Sequence, residues 1–284
     1  MYHYPIGVFM DCFRVNRPEA IQKAVAVGAK AIQLTTTRGE YAPENLTAQG
    51  RKELLTQVQD AGLVFSALCC DNGKRYWDPA VIEEQVEFTK RVLDLALDLG
   101  TKIVTTHIGV IPADPNHPRF KIMQDACGRI AEYGHSVGAC LAVETGPEPS
   151  AVLRVFLDSI HSDGIAVNLD PANLKMIVNE DSVQAVHNLA PYIVHTHAKD
   201  GIQLVSTNPE YIYHILPRPK ELENVSLYRE VPLGCGNVPF PAYLKALEEV
   251  GYRGFLTIER ETGDHPEEDI RLAVDFLQKT MAVN

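Results

Sequence analysis

Eight short apolar runs, each followed by a loop and a helical pattern, recur along the 284-residue chain. They are IGVFM at 6–10, AIQLTT at 31–36, LVFSALC at 63–69, KIVTTHI at 102–108, ACLAVE at 139–144, GIAVNLD at 164–170, YIVHTHA at 192–198 and GFLTIE at 254–259. Strands alternating with helices build parallel sheets, and eight strands close a barrel. The helical stretches have recognisable starts: Asn16 before RPEA, with Glu19 completing a capping box, and Asp78 followed by Pro79 before AVIEEQVEFTKRVLDLALDLG. Gly28, Gly62, Gly100, Gly138 and Gly251 fall near helix ends, where tolerance of positive φ is useful. The pattern predicts the α/β class and a (β/α)8 TIM barrel occupying residues 1–284 as a single domain. An open doubly wound sheet is the structural alternative, but TTTRGE, TTHIGV and VETGPE are isolated glycine turns, not a nucleotide loop.

One interval breaks the rhythm. Residues 201–236, between the seventh run and the helix that follows it, are rich in Pro, Gly, Tyr, Asn and charges. Ordering so long a connection costs backbone entropy, so it reads as a lid or pocket wall. The plainer reading is an excursion that covers the barrel rim or joins two subunits.

Four of the runs stop on chemistry-bearing residues: Glu144, Asp170, His197 and Glu259. In a parallel barrel the C-terminal strand ends meet at one mouth, so residues distant in sequence can share a metal ion there. Taken singly, each carboxylate reads as a solvated charge or a helix cap. Together, three oxygen donors and one imidazole suit one divalent ion, with Mn²⁺ favoured over structural zinc and Zn²⁺, Mg²⁺, Co²⁺ and Fe²⁺ compatible. Strand alternation puts His195, His197 and Lys199 on one face, Asn168 below Asp170, and Thr105 below His107. His107, Asn173, His195, Lys199 and Arg260 are therefore candidates for contacting substrate or for supporting the metal ligands; hydrogen bonding within the barrel is the alternative for the histidines and Asn173.

The formal net charge of −11 argues against a general affinity for nucleic acid or anionic membranes. No apolar run approaches membrane-spanning length, and the start MYHYPIGVFMDCF lacks a signal-peptide pattern. The six cysteines have no zinc-knuckle or thioredoxin spacing, so reduced thiols in a cytoplasmic protein are expected. Homo-oligomerisation is left open, because nothing in the sequence says which helix faces pair.

With these residues in place, the chain resembles the sugar phosphate isomerase/epimerase family of the xylose-isomerase-like TIM-barrel superfamily, near its ketose 3-epimerase and inositol-catabolism branches. Glu144, Asp170, His197 within H-x-K-D, and Glu259 match the family's metal-binding residues in order, and VPLGCGNVPFPAYLKALEEVGYRGFLTIERE is a family-like stretch. The resemblance implies that Glu144 and Glu259 serve both as ligands and as the acid/base pair. It also marks departures from the ketose 3-epimerases: Asn173 stands where they have a substrate-binding histidine, Ser150 where they have a glutamate and Gln203 where they have an arginine. "Sugar phosphate" is not to be taken literally here, since no phosphate-cradling sequence is evident and Lys199 and Arg260 are isolated candidates.

The expected function is divalent-metal-dependent isomerisation or epimerisation of a small polyhydroxylated carbonyl compound, a keto-sugar or cyclitol, by proton transfer through an enediolate. A metal-dependent dehydratase or lyase on a related polyol is the nearest alternative. Two others are a non-catalytic metabolite-binding barrel, with Tyr211, Tyr213, His214 and Tyr228 as its recognition wall, and an AP-endonuclease-like phosphodiesterase. The last is opposed by Asn173, by the acidic charge and by the lack of a D-x-H pair in residues 201–236.

Overall fold

The computed structural model describes residues 2–283. Ten strands are present among them: β1 (Ile6–Phe9), β2 (Ala31–Thr35), β3 (Val64–Cys69), β4 (Ile103–Thr106), β5 (Cys140–Glu144), β6 (Ile165–Leu169), β7 (Ile193–Ala198), β8 (Asp200–Gln203), β9 (Tyr228–Val231) and β10 (Leu256–Ile258). Eight of them close a parallel barrel in the order β1, β10, β7, β6, β5, β4, β3, β2. Each apolar run thus becomes a barrel strand, trimmed at its ends. Strands covered on both faces carry apolar side chains at successive positions, and β1, β5 and β6 are buried throughout.

The helices pack their apolar stripe on this barrel. In helix Ile82–Asp98, Val86, Thr89, Val92, Leu93 and Ala96 recur at three- and four-residue spacing and are buried. Asn16 caps helix Arg17–Ala26 by accepting from the Glu19 backbone N–H at 3.2 Å. Glu19 returns a bond to the Asn16 side-chain amide, not to its backbone as a capping box would. Asp78 does not cap Ile82–Asp98: its carboxylate is taken by the N–H of Ala80 within a preceding turn, and the helix begins after Val81 without a side-chain cap. All five expected helix-end glycines take positive φ; Gly138, at φ 80°, closes helix Pro118–Val137 in the left-handed region.

Residues 201–236 contain more regular structure than their composition suggests. Strands β8 and β9 pair antiparallel, with Gly201 opposite Glu230 and Ile202 opposite Arg229. Between them lie two short helical turns, Pro209–Ile212 and Lys220–Leu222. The return of the chain is gathered by Asp200, whose carboxylate accepts backbone N–H groups from Gly201, Gly234, Gly236 and Val238 at 2.9–3.1 Å. Glycine is needed at 236, because a Cβ there would sit 2.2 Å from Asp200 Oδ1. Three further ties hold the insertion to the barrel: Arg260 to Glu230, Arg119 to Glu210, and Arg75 to the His214 carbonyl.

Candidate metal centre

The four strand-end residues converge. One donor atom from each of Glu144, Asp170, His197 and Glu259 lies within 4.8 Å of the others. Two ligands each roughly 2.0–2.4 Å from a common ion stand no farther apart than this, so the set fits one divalent cation. From His197 Nδ1 the carboxylate oxygens of Glu259, Asp170 and Glu144 are 3.2, 3.4 and 3.5 Å away. Burial opposes a charge on this imidazole, but Glu259 and Glu144, with Asp170, override it and raise the group well above its ordinary value. The ring therefore sits in a field that attracts a cation.

The interior of the barrel determines which nitrogen of His197 faces that centre. Nε2 is 2.9 Å from Gln33 Oε1, an acceptor, so Nε2 carries a hydrogen and Nδ1 is the nitrogen that faces the carboxylates, where an ion would take the place of its proton. Asn168 donates to Glu144 Oε2 at 3.1 Å and accepts from His195 Nδ1 at 2.8 Å, while Thr257 meets His195 Nε2 at 2.9 Å. Gln33 in turn donates to Thr105. The strand register slips at Ile32/Gln33 and again at Val167/Asn168. The extra residue lies on the neighbouring strand in each case, Ser66 on β3 and Val194 on β7, and Gln33 of β2 and Asn168 of β6 both reach His197 Nε2, at 2.9 and 3.3 Å.

The four candidates divide by exposure. Asp170 and His197 are fully buried, whereas Glu144 and Glu259 retain 6% of their surface and line a cavity of about 740 Å³ at the barrel mouth. Asp170 Oδ1 is occupied by the backbone N–H groups of Ala172 and Asn173, leaving Oδ2 toward His197. Asn173 Nδ2 donates to Glu144 Oε1 at 3.1 Å, so its side chain serves the carboxylate and its backbone the turn. Burial would raise the Glu259 carboxyl, but His197 and Lys199 beside it hold it well below the usual range.

Lys199 donates to Glu259 Oε2 at 2.8 Å and also meets Glu261 and Glu230. Burial opposes its charge, yet these carboxylates raise the ammonium well above its ordinary value, so it stays protonated. His107 Nδ1 is 3.0 Å from Asp71 and Nε2 is 3.9 Å from Glu144. Burial again opposes protonation, but Glu144 and Asp71 push the imidazole up to about 10. Its ring lies 5.7 Å from that of Tyr213, which the insertion brings into the cavity wall.

Two candidates are placed away from the cavity. Burial and the neighbouring His197 keep His195 well below its ordinary value, and the neutral ring is sealed in the interior network. Arg260 does not line the cavity; its guanidinium is bonded to Glu230, Thr262 and Asp269, and it anchors the insertion instead of meeting substrate. The residues not anticipated are Gln33, Asp71, Glu230 and Glu261. Glu261 and Asp71 carried a signal, since each is a polar residue at or just beyond the end of a strand run; Gln33 was the lone amide inside one.

A family model described as "Xylose isomerase-like TIM barrel" matches residues 21–280. The L-ribulose-5-phosphate 3-epimerase UlaE of Escherichia coli strain K12 is 21% identical over 293 residues, covering 98% of this chain and 95% of that protein. Among solved structures, a xylose isomerase domain protein from Planctomyces limnophilus superposes with a TM-score of 0.76 at 23% identity, covering 98% of this chain and 96% of the other. A D-tagatose 3-epimerase-like protein gives a TM-score of 0.76 at 17% identity, covering 98% and 97%.

Proposed function

The chain belongs to the xylose isomerase-like TIM-barrel family, and from that premise we propose that it is a divalent-metal-dependent epimerase or isomerase of a small keto-sugar or cyclitol. The observation that carries the reading is the division within the cluster: Asp170 and His197 are sealed, while Glu144 and Glu259 open onto the cavity. Asp170 and His197 act as dedicated holders of the ion, and the two glutamates combine holding with proton transfer. Three oxygens and one nitrogen favour Mn²⁺, with Mg²⁺, Co²⁺ and Zn²⁺ compatible. When bound, the cation supplies the positive charge that makes a proton next to a carbonyl acidic.

The residues then have distinct tasks. Glu259, kept ionised between His197 and Lys199, takes the proton from the carbon next to the carbonyl. Glu144, oriented by amide donors from Asn168 and Asn173, delivers a proton from its own side, three strands away round the barrel, the proton reaching it from His107, whose Nε2 stands 3.9 Å away. His107 links Glu144 to Asp71 and supplies a charge-assisted donor to a substrate hydroxyl. The test is a panel of ketoses and keto-inositols incubated with metal-loaded protein in D₂O. Metal-dependent deuterium incorporation at the carbon next to the carbonyl is expected; no exchange or turnover across the panel would overturn the reading.

Dehydration is the second reading, and His107 is the observation that favours it. A protonated imidazole lining the cavity is an acid for a departing β-hydroxyl. An unsaturated product whose formation is lost in His107→Gln would select it. A phosphodiesterase finds less support: among the described residues a single acidic and histidine group suits a metal, and carboxylates outnumber cationic groups in the cavity lining. No described helix is long and apolar enough to cross a membrane.

A further inference from the structure

Past His107 and Tyr213 lies a second chamber of about 310 Å³. It shares Asp71, His107, Ile212 and Tyr213 with the main cavity, so the two are adjacent across these side chains. What it adds comes from the loop after β3: Lys74, Arg75 and Trp77, the only tryptophan of the chain. The indole is fixed from two sides. Arg75 places its guanidinium 5.1 Å over the ring and donates to the His214 carbonyl at 3.2 Å, joining this loop to the insertion. Gly109, at φ 99°, brings the loop after β4 so close that a Cβ there would meet the indole edge at 3.2 Å.

We propose that this chamber is a subsite for a second sugar ring, so that the preferred substrate is a keto-sugar carried in a glycoside and not a free monosaccharide. This rests on the reading of the neighbouring site as a keto-sugar epimerase or isomerase. Size supports it. Ligand sites run from about 300 to 1,000 Å³, so the main cavity already has room for one small sugar and the chamber alone reaches the lower bound. Chemistry supports it too. Trp77 and Tyr213 give the chamber aromatic surface that suits the C–H face of a pyranose, with Arg75 over the indole, and its polar lining groups suit the hydroxyls.

Trp77 itself reports the test, since its emission is the whole tryptophan signal of the native protein. The Mn²⁺-loaded protein is titrated with fructose and with two glycosyl ketoses, isomaltulose and lactulose, while deuterium incorporation from D₂O is followed by mass spectrometry. At least one glycosyl ketose is expected to shift Trp77 emission at a concentration about tenfold below that of any response to fructose. Trp77→Ala is then expected to raise KM for that ketose about tenfold, with fructose exchange unchanged and Trp77→Phe restoring part of the affinity. Fructose exchange with no emission response and no preference for either glycosyl ketose overturns the subsite while leaving the epimerase reading intact. An emission shift by a glycosyl ketose, with no exchange of any probe, supports the subsite and overturns the reading of the metal centre.

Discussion

The floor of the cavity and its wall are built on opposite principles. The floor consists of strand ends, where Gln33, Asn168, His195 and Thr257 fix His197 and Glu144 through a closed hydrogen-bond network inside the barrel. The wall is the β8–β9 insertion, which contributes Tyr213, Tyr228 and Glu230 and is held by the Arg260 and Arg119 ion pairs, by the backbone N–H groups gathered on Asp200 and by side-chain bonds to the Ile177 and His214 carbonyls. A rigid floor sets the chemistry, because donors must stand still relative to one another. On the proposed function, a wall tied at separate points selects what enters, and Lys199, between Glu259 and Glu230, is where it meets the floor.

The largest expected effect lies in the floor. Glu144→Gln and Glu259→Gln keep the size and a coordinating oxygen but remove the base, so turnover should fall roughly 10²–10⁴-fold while metal content persists. If turnover survives in either variant, that glutamate loses its proton-transfer role and the contrast with Asp170 collapses. In the wall, Arg260→Ala leaves Glu230 and Asp269 without their guanidinium and should lower stability by about 3 kcal/mol, measured by urea denaturation. The metal site should keep its occupancy in that variant. Metal loss there would show that floor and wall are one unit.

Asn168→Ala sharpens the comparison from below, since it removes a supporting donor without touching the cavity. A 10–100-fold loss of metal affinity by competition titration is expected; an unchanged affinity would remove Asn168 from the account. The effect confined to a pH window concerns Glu148, a buried carboxyl whose Oε2 accepts from the Ile111 N–H. Burial pushes it up to about 8, against 4.5 in an unstructured chain. The folded protein therefore binds this proton more tightly, and the stabilisation is complete below pH 4.5 and lost as pH rises towards 8. Glu148→Gln should remove about 1 kcal/mol per pH unit of that decline inside the window, read from denaturation at several pH values. A pH dependence unchanged in the variant would assign the decline to other groups.

The same contrast explains what could be read from the sequence. The floor was readable because three strand runs end on a carboxylate and a fourth ends one residue past a histidine, and barrel geometry brings such ends together, which is how Glu144, Asp170, His197 and Glu259 were found. Gln33 was not, since its partner His197 lies 164 residues further along the chain, a pairing that no local periodicity records. In the wall, β8 and β9 are short and far apart in the chain, so a composition rich in turn formers hid a hairpin. Arg260 looked available to substrate for the same reason: Glu230, which engages it, lies on the insertion and is visible only once the chain is folded.

The division of labour within the four ligands is decided by measuring metal content and solvent-deuterium incorporation together in Asp170→Ala, Glu144→Gln and Glu259→Gln. Asp170→Ala should lose the metal and, with it, exchange. The two Gln variants should hold the metal, and neither should invert the substrate's stereocentre, although one can still exchange its proton from a single face. Full exchange and inversion in both metal-loaded Gln variants, or unchanged metal occupancy in Asp170→Ala, would contradict the account.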